Sequence, residues 1–208
     1  MEIKVSVRGL VEFLLRTGDI DNRKKSAPDD AMAEGSRIHR MIQKKMGSSY
    51  HAEVMLRYRR DCGEYDLVVE GRADGIIDSD PVAVDEIKGT YRDLSRMEAP
   101  VEVHLAQAKC YAYMYGVKQD LEKIGVQITY CHLETEQIKR IFYCYTMGEL
   151  SLWFAEVLDA YRMWAAYYVE AREKRNASIQ ALQFPFSFRP GQKKMTAIAY
   201  QAMENKKH

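Results

Sequence analysis

The apolar positions of the chain change their period several times, and each change marks an element. Over residues 5–17, Leu10, Phe13 and Leu14 fall on one side of a helix that Gly18-Asp19 ends. Residues 19–29 are polar and turn-rich and predict a loop. The spacing of Met32, Ile38, Met41 and Ile42 predicts a helix over 29–46. The period then falls to two. Residues 52–60 and 65–74 are strand-like, joined at Asp61-Cys62-Gly63-Glu64 by a hairpin connection. The turn Asp78-Ser79-Asp80-Pro81 leads into a strand over 82–88. Leu105, Ala108, Ala112 and Tyr115 return to helical spacing over 101–116, and strands follow at 125–133 and 138–145. Thr146-Met147-Gly148-Glu149 has the form of a capping box. It opens a long helix whose Leu150, Trp153, Val157, Tyr161, Trp164 and Tyr168 form one stripe, expected to be core. Helices interleaved with strands predict an α/β layered domain.

Composition supports a folded domain: 208 residues, 47% hydrophobic and 29% charged, are enough for a packed core. No run of 18 apolar residues is present, so no spanning helix and no membrane partner are expected. Residues 1–18 are broken by Glu2, Lys4, Arg8, Glu12 and Arg16 and do not read as a secretory signal. Cys62, Cys110, Cys131 and Cys144 form no C-x-x-C pair, which fits a reduced, cytoplasmic chain rather than a zinc ribbon. The net charge of +1 hides an asymmetry: residues 171–208 carry +6, leaving −5 on residues 1–170. A body of that sign can bind a polyanion only through a local patch or a metal.

The candidate chemistry lies on two neighbouring strands. Gly71-Arg72-Ala73-Asp74 is followed by Val84-Asp85-Glu86-Ile87-Lys88, so each strand ends with a carboxylate. Alternation places Glu86 and Lys88 on one face, with Asp85 and Ile87 on the other. If the strands pair across the 78–81 turn, Asp74 and Glu86 are neighbours. Two carboxylates sharing a site repel, and one must stay protonated unless a cation neutralises them. A divalent ion with oxygen ligands meets that need, with Asp74, Glu86 and the Ile87 carbonyl as part of its shell. Lys88 beside it can orient a water or stabilise charge on a phosphate. Plainer readings coexist: Asp74 as a turn residue before Gly75, and Glu86–Lys88 as an exposed ion pair worth less than about 1 kcal/mol. Asp78 and Asp80 belong to the turn.

The joint pattern resembles the PD-(D/E)XK nuclease superfamily, and within it the RecB-type branch. Four segments in order carry the resemblance over residues 30–145: Gly35-Ser36-Arg37-Ile38-His39, Gly71-x-x-Asp74, Glu86-x-Lys88, and Gln107-Ala108-Lys109-Cys110-Tyr111. It implies a restriction-endonuclease-like core, a mixed sheet flanked by helices, here with a long C-terminal helix. It implies His39 as a third metal ligand; an imidazole in an oxygen shell suits Mn²⁺ as well as Mg²⁺. His39 shares a small, polar helix face with Gly35, Ser36 and Gln43, although a hydrogen-bonded structural histidine is the alternative. The resemblance places Gln107 and Tyr111 beside the site, contacting nucleic acid or holding the lysine; Tyr111 as aromatic core is the alternative. Glu53 stands at a position often acidic in these proteins, without a defined role. Arg72, Lys109 and Arg37 are candidates for phosphate contacts. Some RecB-type nucleases hold an iron–sulfur cluster on one early and three late cysteines. The four cysteines here lack that arrangement, so no cluster is expected and buried apolar thiols are.

Residues 184–195 resemble the adenine-recognising stretch before the ATP-binding domain of XPD/Rad3-like superfamily 2 helicases, with Arg189 and Gln192 as the ATP-binding residues if such a domain follows. No G-x-x-x-x-G-K-[ST] is present. A basic tail without partner is the alternative. The expected organisation is a nuclease domain over 1–180 and a tail over 181–208. The expected function is a Mg²⁺- or Mn²⁺-dependent DNA exonuclease acting on single strands or duplex ends, part of a DNA repair helicase-nuclease. The rivals are a catalytically silent nucleic-acid-binding module of a helicase and a globular adaptor.

Overall fold

The computed structural model describes residues 1–17, 31–183 and 185–204. The expected loop at 19–29 lies outside them. The chain divides into two compact units, residues 1–166 and 167–208.

The first unit holds one six-stranded mixed sheet: β1 (Glu2–Ser6), β2 (Tyr50–Asp61), β3 (Asp66–Ile77), β4 (Ala83–Thr90), β5 (Lys123–His132) and β6 (Ile138–Thr146). The helices are α1 (Val7–Leu15), α2 (Ala31–Lys45), α3 (Glu102–Lys118) and α4 (Met147–Gln180), the last running past the unit boundary. Among the described residues, no helix is long and apolar enough to cross a membrane.

The helix expected over 5–17 forms over 7–15, and an unexpected strand precedes it: β1 ends at Ser6, which then caps α1 by accepting from the Gly9 amide at 3.0 Å. Ile3 is buried on β1, which lies parallel to β3. A five-residue strand supplies too few alternations to outweigh the helical spacing that follows.

β3 organises the sheet. Leu67, Val68 and Val69 are all buried, as expected of a strand covered on both faces. β2 runs antiparallel along one edge of β3 from Asp66 to Ile77. The other edge is shared. β1 takes residues 66–70 and β4 takes residues 75–77, so Gly71–Asp74 have no strand partner on that side. The sheet therefore forks there. β4 continues parallel to β5, and β5 pairs antiparallel with β6.

Helices cover both faces. α2 packs Ile38 and Ile42 against Ile87 and Cys131. α3 lies on the opposite face, where Gln107 meets Lys88. The capping box forms as expected: the Thr146 amide donates to Glu149 at 2.8 Å, and the Glu149 amide to the Thr146 hydroxyl at 3.2 Å.

The aromatic stripe of α4 is a correction. The buried side chains are Leu150, Phe154, Val157, Leu158, Ala165 and Val169, whereas Trp164 and Tyr168 are each 52% exposed. Phe154 takes the place given to Trp153, packing at a tilt against Tyr113 at 4.6 Å and meeting Tyr58 edge-on at 5.2 Å. The helical period fixed the face to within one position of the true one. The cysteines also divide: Cys110 and Cys131 are buried, Cys62 is half-buried, and Cys144 is exposed on the edge strand β6, which buries none of its residues. The architecture is the expected α/β one: a restriction-endonuclease-like core with a mixed sheet between helices and a long C-terminal helix.

Candidate active site

The fork in the sheet is where the candidate residues meet. The β3–β4 register pairs Gly75 with Asp85 and Ile76 with Val84. One step further, Asp74 faces Glu86 where the ladder has already opened. The Asp74 carboxylate fills part of that opening by accepting from the Ile87 amide at 2.8 Å. Ile87 is thus joined to the site through its backbone, while its side chain is buried against α2.

Glu86 lies beneath the fork, 1% exposed. Its Oε1 accepts from Lys88 Nζ at 2.7 Å. Its Oε2 has no partner, the one such buried side-chain atom among the described residues. Burial, and then the Asp74 charge, push the Glu86 carboxyl up to about 8 despite Lys88. An orphaned oxygen on a fully buried acid is costly unless something positive meets it.

His39 reaches the same point from α2, with Nδ1 3.2 Å from Asp74 Oδ1. Burial disfavours its protonated form, but the hydrogen bond and charge of Asp74 outweigh that and raise its pKa. The small polar face of α2 is used as its composition implied. Gly35, Ser36, His39 and Gln43 all line a cavity of about 600 Å³, together with Asp74. Gln43 Nε2 donates to the Asp74 carbonyl at 3.0 Å.

α3 closes the other side. Gln107 and Tyr111 are both buried and both line the cavity. Gln107 Oε1 accepts from Lys88 Nζ at 3.3 Å, so the lysine is held between an amide and a carboxylate. Tyr111 rests over Gly71: a Cβ there would lie 2.8 Å from the Tyr111 hydroxyl. Tyr111 is therefore both core and cavity wall.

Not every expected residue arrives. Arg72 lines the cavity, but Arg37 and Lys109 do not. Arg37 is tied to Glu34 at 2.8 Å and to Glu136 at 2.7 Å. Lys109, on the far face of α3 from Gln107, sits 3.9 Å over the Trp153 ring and 5.3 Å over Tyr145. A helix turns about 200° in two residues, so Gln107 and Lys109 could not share a wall. In the second unit, helix α5 (Gln192–Glu204) begins where the Arg189 amide donates to Gln192 Oε1 at 3.1 Å.

Two cavity residues were not signalled by any motif. Arg8 enters from α1, where it pairs with Glu12 at 2.7 Å, and Arg40 from α2. Arg8 lies far from every motif, and Arg40 directly follows His39 but falls outside the Gly35–His39 spacing. Asp85 points the other way, as alternation required. It accepts from Tyr50 at 3.2 Å, Gln127 at 3.0 Å and Thr129 at 2.5 Å. Burial raises its pKa against these three donors. Its role is to tie β4 to β2 and β5.

A buried acid with an unpaired oxygen, a second carboxylate facing it and a histidine touching the latter make a donor set fit for Mg²⁺ or Mn²⁺. The fold is restriction-endonuclease-like, and solved structures share it. The chain is similar to an alkaline exonuclease, LHK-Exo, from Laribacter hongkongensis, with a TM-score of 0.52, 12% identity, and coverage of 85% of this chain and 94% of that one. It is similar to SSO0001 with a TM-score of 0.50, 18% identity, and coverage of 76% and 75%. At such identities the likeness establishes the fold. Neither a protein-family model nor a curated protein matches the chain. Neither the fold nor these comparisons supports the helicase link.

Proposed function

We propose that the chain is a metal-dependent nuclease, a DNA exonuclease hydrolysing phosphodiester bonds, with residues 1–180 as its nuclease domain and 181–208 as a tail. The observation that carries this reading is Glu86: a fully buried carboxylate with one oxygen on Lys88 and the other without a partner, facing Asp74. A chain that needed only a stable strand would not place two acids there. The fold shared with an alkaline exonuclease supports the same reading.

His39, Asp74, Glu86 and the Ile87 carbonyl would hold the Mg²⁺ or Mn²⁺, which supplies charge neutralisation and polarisation at the scissile phosphate. The chain's own contribution is orientation. Glu86 and Gln107 fix the Lys88 ammonium, which donates to the attacking water or to the phosphoryl oxygens on which charge grows. Water adds to phosphorus, the P–O ester bond breaks, and a phosphate monoester and a hydroxyl end result. Arg8, Arg40 and Arg72 line the approach and meet phosphates.

A thermal melt with and without Mn²⁺, beside digestion of single-stranded DNA, tests this. Mn²⁺ should raise the melting temperature by mass action. Glu86→Gln should abolish both that rise and digestion while keeping the fold. A Glu86→Gln protein that digests DNA normally overturns the assignment. Binding of Mn²⁺ and DNA without digestion would favour the silent binding module.

A further inference from the structure

Glu53 has no part in the nuclease reading so far, yet its setting is unusual. It lies on β2 directly across from Asp74 in the β2–β3 register, and this is the position at which the ladder is skipped: Ala52 pairs with Gly75 and Val54 with Ala73. Its backbone is left-handed, φ 59°. A non-glycine residue holds such a conformation only where its surroundings demand it. The Glu53 side chain lines the cavity on the same face of the sheet as Asp74, as directly opposed residues of an antiparallel pair do. There, one ligand atom each from Glu53, His39 and Asp74 lie within 4.8 Å of one another. A second, independent sign of a cation site is Glu86, buried to 1% exposure across from Asp74, with Oε2 unpartnered.

Glu53 is also engaged by its neighbours. Its Oε2 is 2.6 Å from Arg72 Nε, and its Oε1 accepts from Gln43 at 3.2 Å. Arg72 thus occupies the carboxylate as a monovalent counter-ion. A guanidinium and a divalent ion cannot both sit against the same oxygens, and the divalent charge is the stronger partner.

We propose that Glu53 is an additional ligand for the divalent cation, held by Arg72 in the metal-free chain, and that uptake of the cation releases the Arg72 guanidinium to bind phosphate. The inference rests on the nuclease reading and deepens it. Cation binding would come first, and the phosphate-binding arginine would become available only then. The part of the grip that Arg72 supplies would require a site already loaded.

Calorimetric titration of the full chain with MnCl₂ tests this without reference to turnover. Glu53→Gln should weaken Mn²⁺ binding by about ten-fold or more, the loss typical of groups that ligate or orient a metal. Arg72→Gln should shift affinity the opposite way, several-fold tighter, because the competing cation is gone. In Glu53→Gln/Arg72→Gln the Arg72 effect should vanish, as a cycle of coupled residues requires. Glu53→Gly suits the left-handed backbone. It should melt no lower than wild type without metal and still lose Mn²⁺ affinity, which separates ligation from folding. Wild-type affinity in both Glu53→Gln and Glu53→Gly overturns the inference and leaves the nuclease reading standing. A wild-type chain that takes up no Mn²⁺ overturns both.

Discussion

At the scale of the residue, Glu86 sets the behaviour of the site. Its carboxyl is pushed up to about 8 by burial and by Asp74, from an ordinary 4.5. The folded chain then keeps a proton that the unfolded chain releases. Stability from this group is full below about 4.5 and is lost as pH rises toward 8. His39, also raised, adds in the same direction. His104 acts oppositely: burial, and then Lys88 and nearby arginines, lower it to about 4, so its effect on stability lies between there and 6.5. Between about pH 6.5 and 8.5, metal-free protein should therefore melt progressively lower. Mg²⁺ should flatten that slope, and Glu86→Gln should remove most of it. A metal-free melting temperature that rises across this window would show that the acid is ionised at no cost.

At the scale of the element, most of the fold was legible because the apolar period is strong. β2, β3, β4 and α3 fall within a few residues of their expected bounds. Where the sequence misled, tertiary packing decided. β1 is a strand because β3 offers it an edge. α4 buries Phe154 rather than Trp153 because Tyr58 and Tyr113 stand opposite. The four motifs placed His39, Asp74, Glu86, Lys88, Gln107 and Tyr111 around one point. They misplaced Lys109, since a motif records spacing and not which helix face meets the sheet. Glu53 carried no signal beyond its acidity, because a left-handed backbone in mid-strand cannot be read from residue types. The β3 glycines, by contrast, have a reason that packing supplies. A Cβ at Gly75 would overlap the edge of the Tyr50 ring, 2.0 Å from the hydroxyl oxygen that serves Asp85. Gly75→Ala should cost about 1–3 kcal/mol in denaturant unfolding. A neutral result would show that Tyr50 moves freely.

At the scale of the molecule, residues 1–170 carry −5, so long-range attraction does not bring DNA to the cavity. Binding must rest on the cation and a few arginines. Replacing Arg8 or Arg40 with Gln should weaken binding to any single strand. It should also reduce the slope of log K on log salt by about 0.7 for each phosphate no longer neutralised. Arg37→Gln should leave that slope unchanged, since Arg37 is spent on Glu34 and Glu136. Lys109→Gln should lower stability, by removing the cation over Trp153, rather than affinity. Filter binding over a salt series separates these outcomes.

β3 and β4 are joined by only three residue pairs before the fork, and the next link is the Asp74 carboxylate on the Ile87 amide. That single N–H is thus a built-in gauge. Any ion that draws the Asp74 oxygens toward itself alters the acceptor Ile87 sees, so its exchange with deuterated solvent and its ¹⁵N resonance should report loading directly, on a molecule that need never turn over.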